Sequence, residues 1–295
     1  MTGPQSLASE GGHHMNSGEA GDSGETDMEV SARIAAEAGE LLLALRDSHG
    51  SIDNPDVAKQ LRTLADASSH ELIVARMATA RPGDSVLSEE GADDLARLNA
   101  ERVWIVDPLD GTWEYGLGRA DFAVHIVLWT ADGQSPGGGR LTAGTVDLPA
   151  QGLARYSRDS ASLPRDLPTD RPVRIVASRT RPPSVLADVV AHLDAALRSE
   201  GHEHGAEVID VGSVGAKVNE ILSGRAEAYV HDTGFYEWDV AAPLAVAHAH
   251  GLTASHVDGS AIAFNRERPY VTDLLVGIPA FAERLRTAMQ RAGSA

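Results

Sequence analysis

The stretch Val103-Trp104-Ile105-Val106-Asp107-Pro108-Leu109-Asp110-Gly111-Thr112 decides how this chain is read. Its four leading apolar residues have the character of a buried strand, and they run straight into two carboxylates, a proline, a glycine and a threonine. At the C-terminal end of a strand in an α/β fold, side chains leave the sheet and face the crevice where ligands bind. Pro108 fixes an extended exit, and Gly111 permits a close backbone approach. If Thr112 opens a helical turn, the N–H groups of Gly111 and Thr112 point outward and favour an anion. Carboxylates beside an anion site make sense with a cation between them, and Mg2+, which takes oxygen ligands and shares them with substrate phosphate, meets that need. Asp, Pro and Gly are also the commonest turn formers, so a bare Asp-x-x-Asp is more simply a turn. Further acids at element ends weaken that alternative: Glu89 and Glu90 close "SVLSEEG", and Asp239 opens a helix in "FYEWDVAAPLAVA". For Asp239 by itself, a helix N-cap explains the residue equally well.

The length of 295 residues suggests two lobes and is ample for a sizeable core. Formal charge is −18, of which the six acids of residues 1–30, unopposed by Lys or Arg, account for a third. The rest disfavours a nucleic-acid polymer or an anionic membrane as partner, while a small anionic ligand stays open because a bound cation reverses the local sign. With no cysteine, disulfides and thiolate metal sites are excluded. No apolar run or leader-like N-terminus stands out, which makes the expected setting cytoplasmic. Residues 1–26, rich in Gly, Ser and Glu, are expected to be a disordered acidic tail. Order is expected from Asp27 as N-cap, with one helix from Met28 and a second over 67–78. A buried strand at 122–129 and strands at 141–147 and 153–157 suggest an antiparallel meander. After a proline-rich crossing at 159–172, strands and helices alternate to the end, as in a layered α/β lobe. The domain division expected is therefore 27–169, an α+β metal-binding lobe, and 170–295, an α/β substrate lobe.

The segments "SEEG", "WIVDPLDGT" and "EWDVAAPLAVAHAHG", in that order, resemble the metal-binding motifs of the inositol monophosphatase superfamily. The likeness is strongest to its CysQ-type branch, the 3′(2′),5′-bisphosphate nucleotidases, in their actinobacterial form, and covers residues 28–290. It implies a layered αβαβα sandwich and a Mg2+-dependent, Li+-sensitive phosphatase with a place in sulfur assimilation. By the same resemblance, Glu89, Asp107 and the Leu109 carbonyl hold a first Mg2+, and Asp107, Asp110 and Asp239 a second. Asp66 stands at the place of the acid that, with Thr112, orients a metal-activated water for direct in-line attack on phosphorus. Two-metal chemistry has that requirement, one cation generating the nucleophile and the other stabilising the leaving oxygen. Many relatives carry Lys-x-Asp shortly before this acid; here the segment is "KQLRTLADASS", which leaves a third metal site open.

On the substrate side, Gly212-Ser213-Val214-Gly215-Ala216-Lys217 resembles the Gly-Ser-x-x-x-Lys segment with which the nucleotidase branch holds its substrate. Ser213 is equally well a helix cap. Lys217 stands out because the chain otherwise uses arginine, its only other lysine being Lys59, and a compact ammonium suits a phosphate oxygen. In "ASRTRPP", Arg181 stands where relatives have His; a guanidinium can meet a second phosphate bidentately, although surface arginines are common. Gly111 and Thr112 complete the expected substrate contacts. His202, His204, His248 and His250 have a spacing that faces different sides of a helix, and are expected in surface or packing roles. The leading expectation is hydrolysis of the 3′-phosphate of adenosine 3′,5′-bisphosphate. The alternatives are an inositol-1-phosphate or fructose-1,6-bisphosphate phosphatase and, from another class, a non-catalytic phosphometabolite-binding regulator. The expected partner is a small phosphorylated metabolite, with a homodimer allowed.

Overall fold

The computed structural model describes residues 24–49, 54–93, 95–135, 138–160 and 166–293. In chain order the elements begin with α1 (Asp27–Ser48), α2 (Pro55–Ala80), β1 (Ser85–Ser88), β2 (Arg102–Asp110), α3 (Thr112–Gly116), β3 (Ala123–Ala131), β4 (Gly139–Leu148) and β5 (Leu153–Tyr156). They continue with β6 (Val173–Ser178), α4 (Leu186–Ser199), β7 (Ala206–Val211), α5 (Val214–Leu222), β8 (Ala228–His231), β9 (Phe235–Tyr236) and α6 (Glu237–Ala249). The chain closes with β10 (Thr253–Ser255), β11 (Tyr270–Val271), β12 (Leu274–Gly277) and α7 (Pro279–Gly293).

One sheet has the order β1-β2-β3-β4-β5, the other β10-β12-β8-β6-β7, and β9 pairs with β11 in a short ribbon. From β2 to β5 the first sheet is the expected antiparallel meander, with β1 added parallel to β2. In the second sheet, β6 lies parallel to both β7 and β8. Helices α1 and α2 cover one face of the first sheet, α5 and α6 fill the space between the sheets, and α4 and α7 cover the far side of the second. The result is the αβαβα sandwich. Helix α6 shows why it is layered: Val240 through Ala247 are all buried, so a helix that is apolar all round lies inside the molecule.

Two apolar clusters fix the faces of the first sheet. Trp104 and Val106 join Ile34, Leu42, Leu61 and Ile73 beneath α1 and α2. Val103 and Ile105 turn the other way, into the cluster shared with α5, α6 and the second sheet. This is the period-2 alternation of a strand covered on both faces.

Several boundaries differ from the sequence-based expectation. Thr26, not Asp27, caps α1, in a reciprocal capping box with Glu29. The described chain already begins at Gly24, and Glu25 pairs with Arg33 at 2.9 Å; residues 1–23 of the expected tail lie outside the described residues. Helix α2 begins at Pro55 rather than 67, because Asn54 caps it and Leu61, Ala65, Ser69, Ile73 and Met77 carry one buried stripe along it. Asp66 therefore sits inside a helix. The motif strand runs through to Asp110 instead of ending at Val106. Of the proline-rich crossing, 161–165 lie outside the described residues. Among the described residues no helix is long and apolar enough to cross a membrane.

Candidate metal and phosphate site

The pairing of β2 with β3 explains how two acids three positions apart can serve one site. On a regular strand, positions three apart face opposite sides. Here Asp107 pairs with His125 and Asp110 with Ala123, so three steps along β2 match two along β3, and the register shifts between the acids. His125 and Ala123 share a face, so Asp107 and Asp110 share it too. It is the inner face of Ile105, toward α6. A bulge of this kind leaves main-chain groups outside the ladder. Ser69, fully buried on α2, donates its hydroxyl to the Pro108 carbonyl at 2.8 Å, and Thr112 Oγ1 donates to the Leu109 carbonyl at 3.0 Å.

Gly111 follows with φ +87°, and a Cβ there would meet Ser213 Cβ at 3.1 Å and the Asp121 carbonyl at 3.2 Å. Only glycine combines that dihedral with that approach. Thr112 then opens α3, as expected, and its hydroxyl also lies 3.3 Å from Asp66 Oδ1. The acid and hydroxyl placed together by resemblance are thus neighbours. Asp66 is pushed up to about 7, by burial first and by Glu90 second.

Asp239 lies in the first turn of α6, which begins at Glu237. It is not the N-cap: its carboxylate reaches back to accept the Tyr236 N–H at 2.7 Å. Helix α6 brings it to the bulge, where oxygens of Asp107, Asp110 and Asp239 all lie within 4.8 Å of one another. Asp107 Oδ1 accepts the Leu109 N–H at 2.9 Å, while its Oδ2 is buried with no hydrogen-bond partner. Burial, then Glu89 and the other acids, hold Asp107 well above the usual carboxylate range. Glu89 lies outside this tight trio but lines the same cavity, and burial followed by Asp239 pushes it up to about 8. A largely buried, all-oxygen donor set with one oxygen, Asp107 Oδ2, left without a partner and with no cationic side chain among the three acids is what a hard divalent cation such as Mg2+ would satisfy.

The cavity, of about 220 Å3, joins these acids to cationic groups from the second sheet and α5. Ser213 is the N-cap of α5, its hydroxyl accepting the Ala216 N–H at 2.9 Å. Lys217, one turn later, is buried against the cavity and donates to the carbonyls of Gly212 and Ser213. An ammonium has three donors; two are on these carbonyls and the third has no hydrogen-bond acceptor among the described residues, with the Tyr229 ring centroid 5.3 Å from Nζ. Burial lowers this lysine to about 8. Arg181 lines the cavity too, and among the described residues its guanidinium has no ion-pair or hydrogen-bond partner. Of the residues that the resemblance assigns to metal, water or substrate, all but Asp66 line the cavity, and Asp66 touches it through Thr112; Glu90 and the paired histidines are not part of the lining.

Some supporting residues went unread. Arg179 pairs with Glu114 at 3.0 Å and Asp121 at 2.9 Å, and Asp121 accepts the Gly212 N–H at 2.8 Å, so this trio ties the second sheet to the motif loop. His231 also lines the cavity, with burial holding its ring down at about 4 and therefore neutral. His125 lies behind Asp110, its Nε2 3.3 Å from Oδ2. A Cβ on Gly215 would fall 2.5 Å from that nitrogen, which lets the Gly215 N–H reach Asp110 at 3.1 Å. Helical spacing from Asp66 to Ser69 was the one available signal for Ser69; the others are brought in by tertiary contacts.

Residues 25–292 match the model of the inositol monophosphatase family. The chain belongs to that family. It is 40% identical over 257 residues to a 3′-phosphoadenosine 5′-phosphate phosphatase of Mycobacterium leprae (strain TN), covering 85% of this chain and 89% of that protein. It is 26% identical to the 3′(2′),5′-bisphosphate nucleotidase CysQ of Escherichia coli (strain K12), covering 81% of this chain and 94% of the relative. Among solved structures, the family member inositol monophosphatase II of Staphylococcus aureus MSSA476 superposes with a TM-score of 0.67 at 19% identity, covering 87% and 92% of the two chains. CysQ of Bacteroides thetaiotaomicron gives 0.64 at 25%, covering 85% and 96%. The family fold is therefore the one described above.

Proposed function

We propose that this member of the inositol monophosphatase family is a Mg2+-dependent phosphomonoesterase that removes the 3′-phosphate of adenosine 3′,5′-bisphosphate, giving AMP and phosphate by in-line attack of water. One observation carries the reading: a single cavity joins the unneutralised cluster of Asp107, Asp110 and Asp239 to the cationic groups of Lys217 and Arg181. A ligand with two phosphates can place one at each. The names of the mycobacterial relatives at 40% identity and above support this substrate over others.

Glu89, Asp107 and the Leu109 carbonyl would hold one cation, and Asp107, Asp110 and Asp239 another. Bound there, Mg2+ supplies the positive charge that lowers the pKa of an attacking water and stabilises a leaving oxygen. The remaining work belongs to the protein. Asp66, raised to about 7, is poised to accept a proton near neutral pH, and the Thr112 hydroxyl beside Oδ1 orients the donor. The Gly111–Thr112 turn presents main-chain N–H groups to the reacting phosphate. Lys217, with one donor free, and Arg181 would take the other phosphate and fix the substrate's direction. Partner chemistry is thus a small phosphorylated metabolite.

The test is kcat/KM with Mg2+ for adenosine 3′,5′-bisphosphate, inositol-1-phosphate and fructose-1,6-bisphosphate. The nucleotide is expected to lead by about tenfold or more, a difference of roughly 1.4 kcal/mol. A lead for the inositol or sugar phosphate would move the chain to another substrate, and tight binding without turnover would make it a phosphometabolite-binding regulator.

A further inference from the structure

Trp113 has no part in holding cations or phosphates, yet it lines the cavity and is 54% exposed, while Trp104 is fully buried and Trp129 only 6% exposed. A single exposed aromatic is ordinary on a protein surface, but this one lines a polar cavity, where its face is placed to meet an apolar part of a ligand. Its position is fixed by the motif: Trp113 directly follows Thr112 and belongs to the first turn of α3. Its ring is also braced. The Arg62 guanidinium, from α2, sits 4.8 Å from the ring centroid. The Arg62 stem passes so close to α3 that a Cβ on Gly116 would fall 2.8 Å from its Cδ. Helix α2 thus supports both Asp66, beside the reacting end of the cavity, and the ring at its margin.

Among the candidate substrates, inositol and fructose phosphates offer hydroxyls and no π face. A nucleotide offers a flat, apolar base, which stacks on an exposed indole. We propose that Trp113, braced by Arg62, is a stacking platform for the nucleobase and so a specificity-determining residue; this rests on the nucleotide reading above. Stacking on an aromatic side chain tolerates any base, so the platform selects for a base over none more than for adenine over guanine.

The test compares Trp113→Ala and Trp113→Phe with the unmodified enzyme on adenosine 3′,5′-bisphosphate and on ribose 3,5-bisphosphate, which has the same phosphates and no base. In Trp113→Ala the loss of kcat/KM on the nucleotide is expected to exceed the loss on the base-free compound about tenfold or more, mainly through KM, and Trp113→Phe should recover most of it. Equal losses on the two compounds overturn the platform. A second readout needs no turnover: with Mg2+ present, the product AMP, which keeps the base, should quench tryptophan fluorescence, and the quench should vanish in Trp113→Phe. Persistence of the quench in that variant also overturns the proposal. Failure of the nucleotide reading itself shows differently, as poor hydrolysis of the nucleotide by the unmodified enzyme.

Discussion

On the acid side of the cavity Asp107 Oδ2 is buried without a partner; on the cationic side the Lys217 ammonium, also buried, already rests on two main-chain carbonyls. The two sides therefore stand differently toward ligands. The acids repel one another, and burial raises Asp239 to about 7 and Glu89 to about 8, so this side is incomplete until a cation arrives. The lysine's positive charge is met by carbonyl dipoles and has one donor to spare, so this side is preformed and contributes selectivity more than assembly. Catalysis should be sensitive to the first side and discrimination to the second.

The hardest test of that division is Asp107→Asn. A neutral amide cannot balance shared cations, so hydrolysis should fall well beyond the roughly 10- to 100-fold that a supporting residue costs, with the circular dichroism spectrum unchanged. Undiminished turnover at saturating Mg2+ would reduce the acids to turn formers.

Next in size is the response to metal, read as thermal unfolding with and without Mg2+. A carboxyl whose folded pKa is raised costs nothing below its unfolded value of about 4 and progressively more as pH rises through the folded value. The metal-free protein should therefore lose stability as pH climbs from about 4 through 7 to 8, where Asp66, Asp239 and Glu89 are forced to ionise. Mg2+ at a hundred times its Kd should restore about 2.7 kcal/mol, or roughly 4–5 °C in Tm, near pH 8 and much less near pH 5. An equal metal effect at both values would break the link between the buried acids and the cation.

Lys217→Ala should spare stability more and selectivity less. Loss of one charge-assisted hydrogen bond, about 1.5–3 kcal/mol, should lower kcat/KM for adenosine 3′,5′-bisphosphate about ten- to a hundredfold and that for inositol-1-phosphate by much less. In the unmodified enzyme kcat/KM for the nucleotide should also decline as pH rises through about 8, where this lysine gives up its proton, and the variant should lack that limb. Parallel losses on both substrates would place Lys217 at the reacting phosphate or in the framework.

The smallest effect is expected from Ser69→Ala, which leaves the Pro108 carbonyl to find a water. We expect about 1 kcal/mol of stability and a weaker Mg2+ half-saturation, with Ser69→Thr, which keeps the hydroxyl, nearer the parent. An unchanged Mg2+ requirement in Ser69→Ala would mean that the bulge holds its shape without α2.

What could be read in advance was what the chain writes locally. The Asp-Pro-Leu-Asp-Gly-Thr run, the capping serine of α5 and the lone lysine of that helix are adjacent-residue signals, and the structure gathers them around one cavity. The layered fold followed from alternating strands and helices and from motif resemblance. The start of α2 was missed although Asn54 and Pro55 are good start signals, because the polar run around Lys59 hides a stripe of one buried residue per turn. Arg179 and Asp121 act on partners 58 to 91 positions away, and no local pattern encodes such pairings; Ser69 had only its helical spacing from Asp66 to point to it.

The bulge in β2 also determines which mutations this site can survive. Two carboxylates two positions apart would share a face on a regular strand, so the additional residue is not needed to aim them. What it adds is a stretch of main chain released from the ladder, including the Leu109 carbonyl, while the Leu109 side chain is buried in the core beneath α1 and α2. A ligand made of backbone is indifferent to codon changes: position 109 can drift among residues of suitable bulk without losing its oxygen. Vulnerability is transferred from composition to count, since gaining or losing one residue between Asp107 and Asp110 alters the register itself. In a lineage of such sequences, substitutions at 109 should accumulate while the spacing of the two aspartates stays fixed.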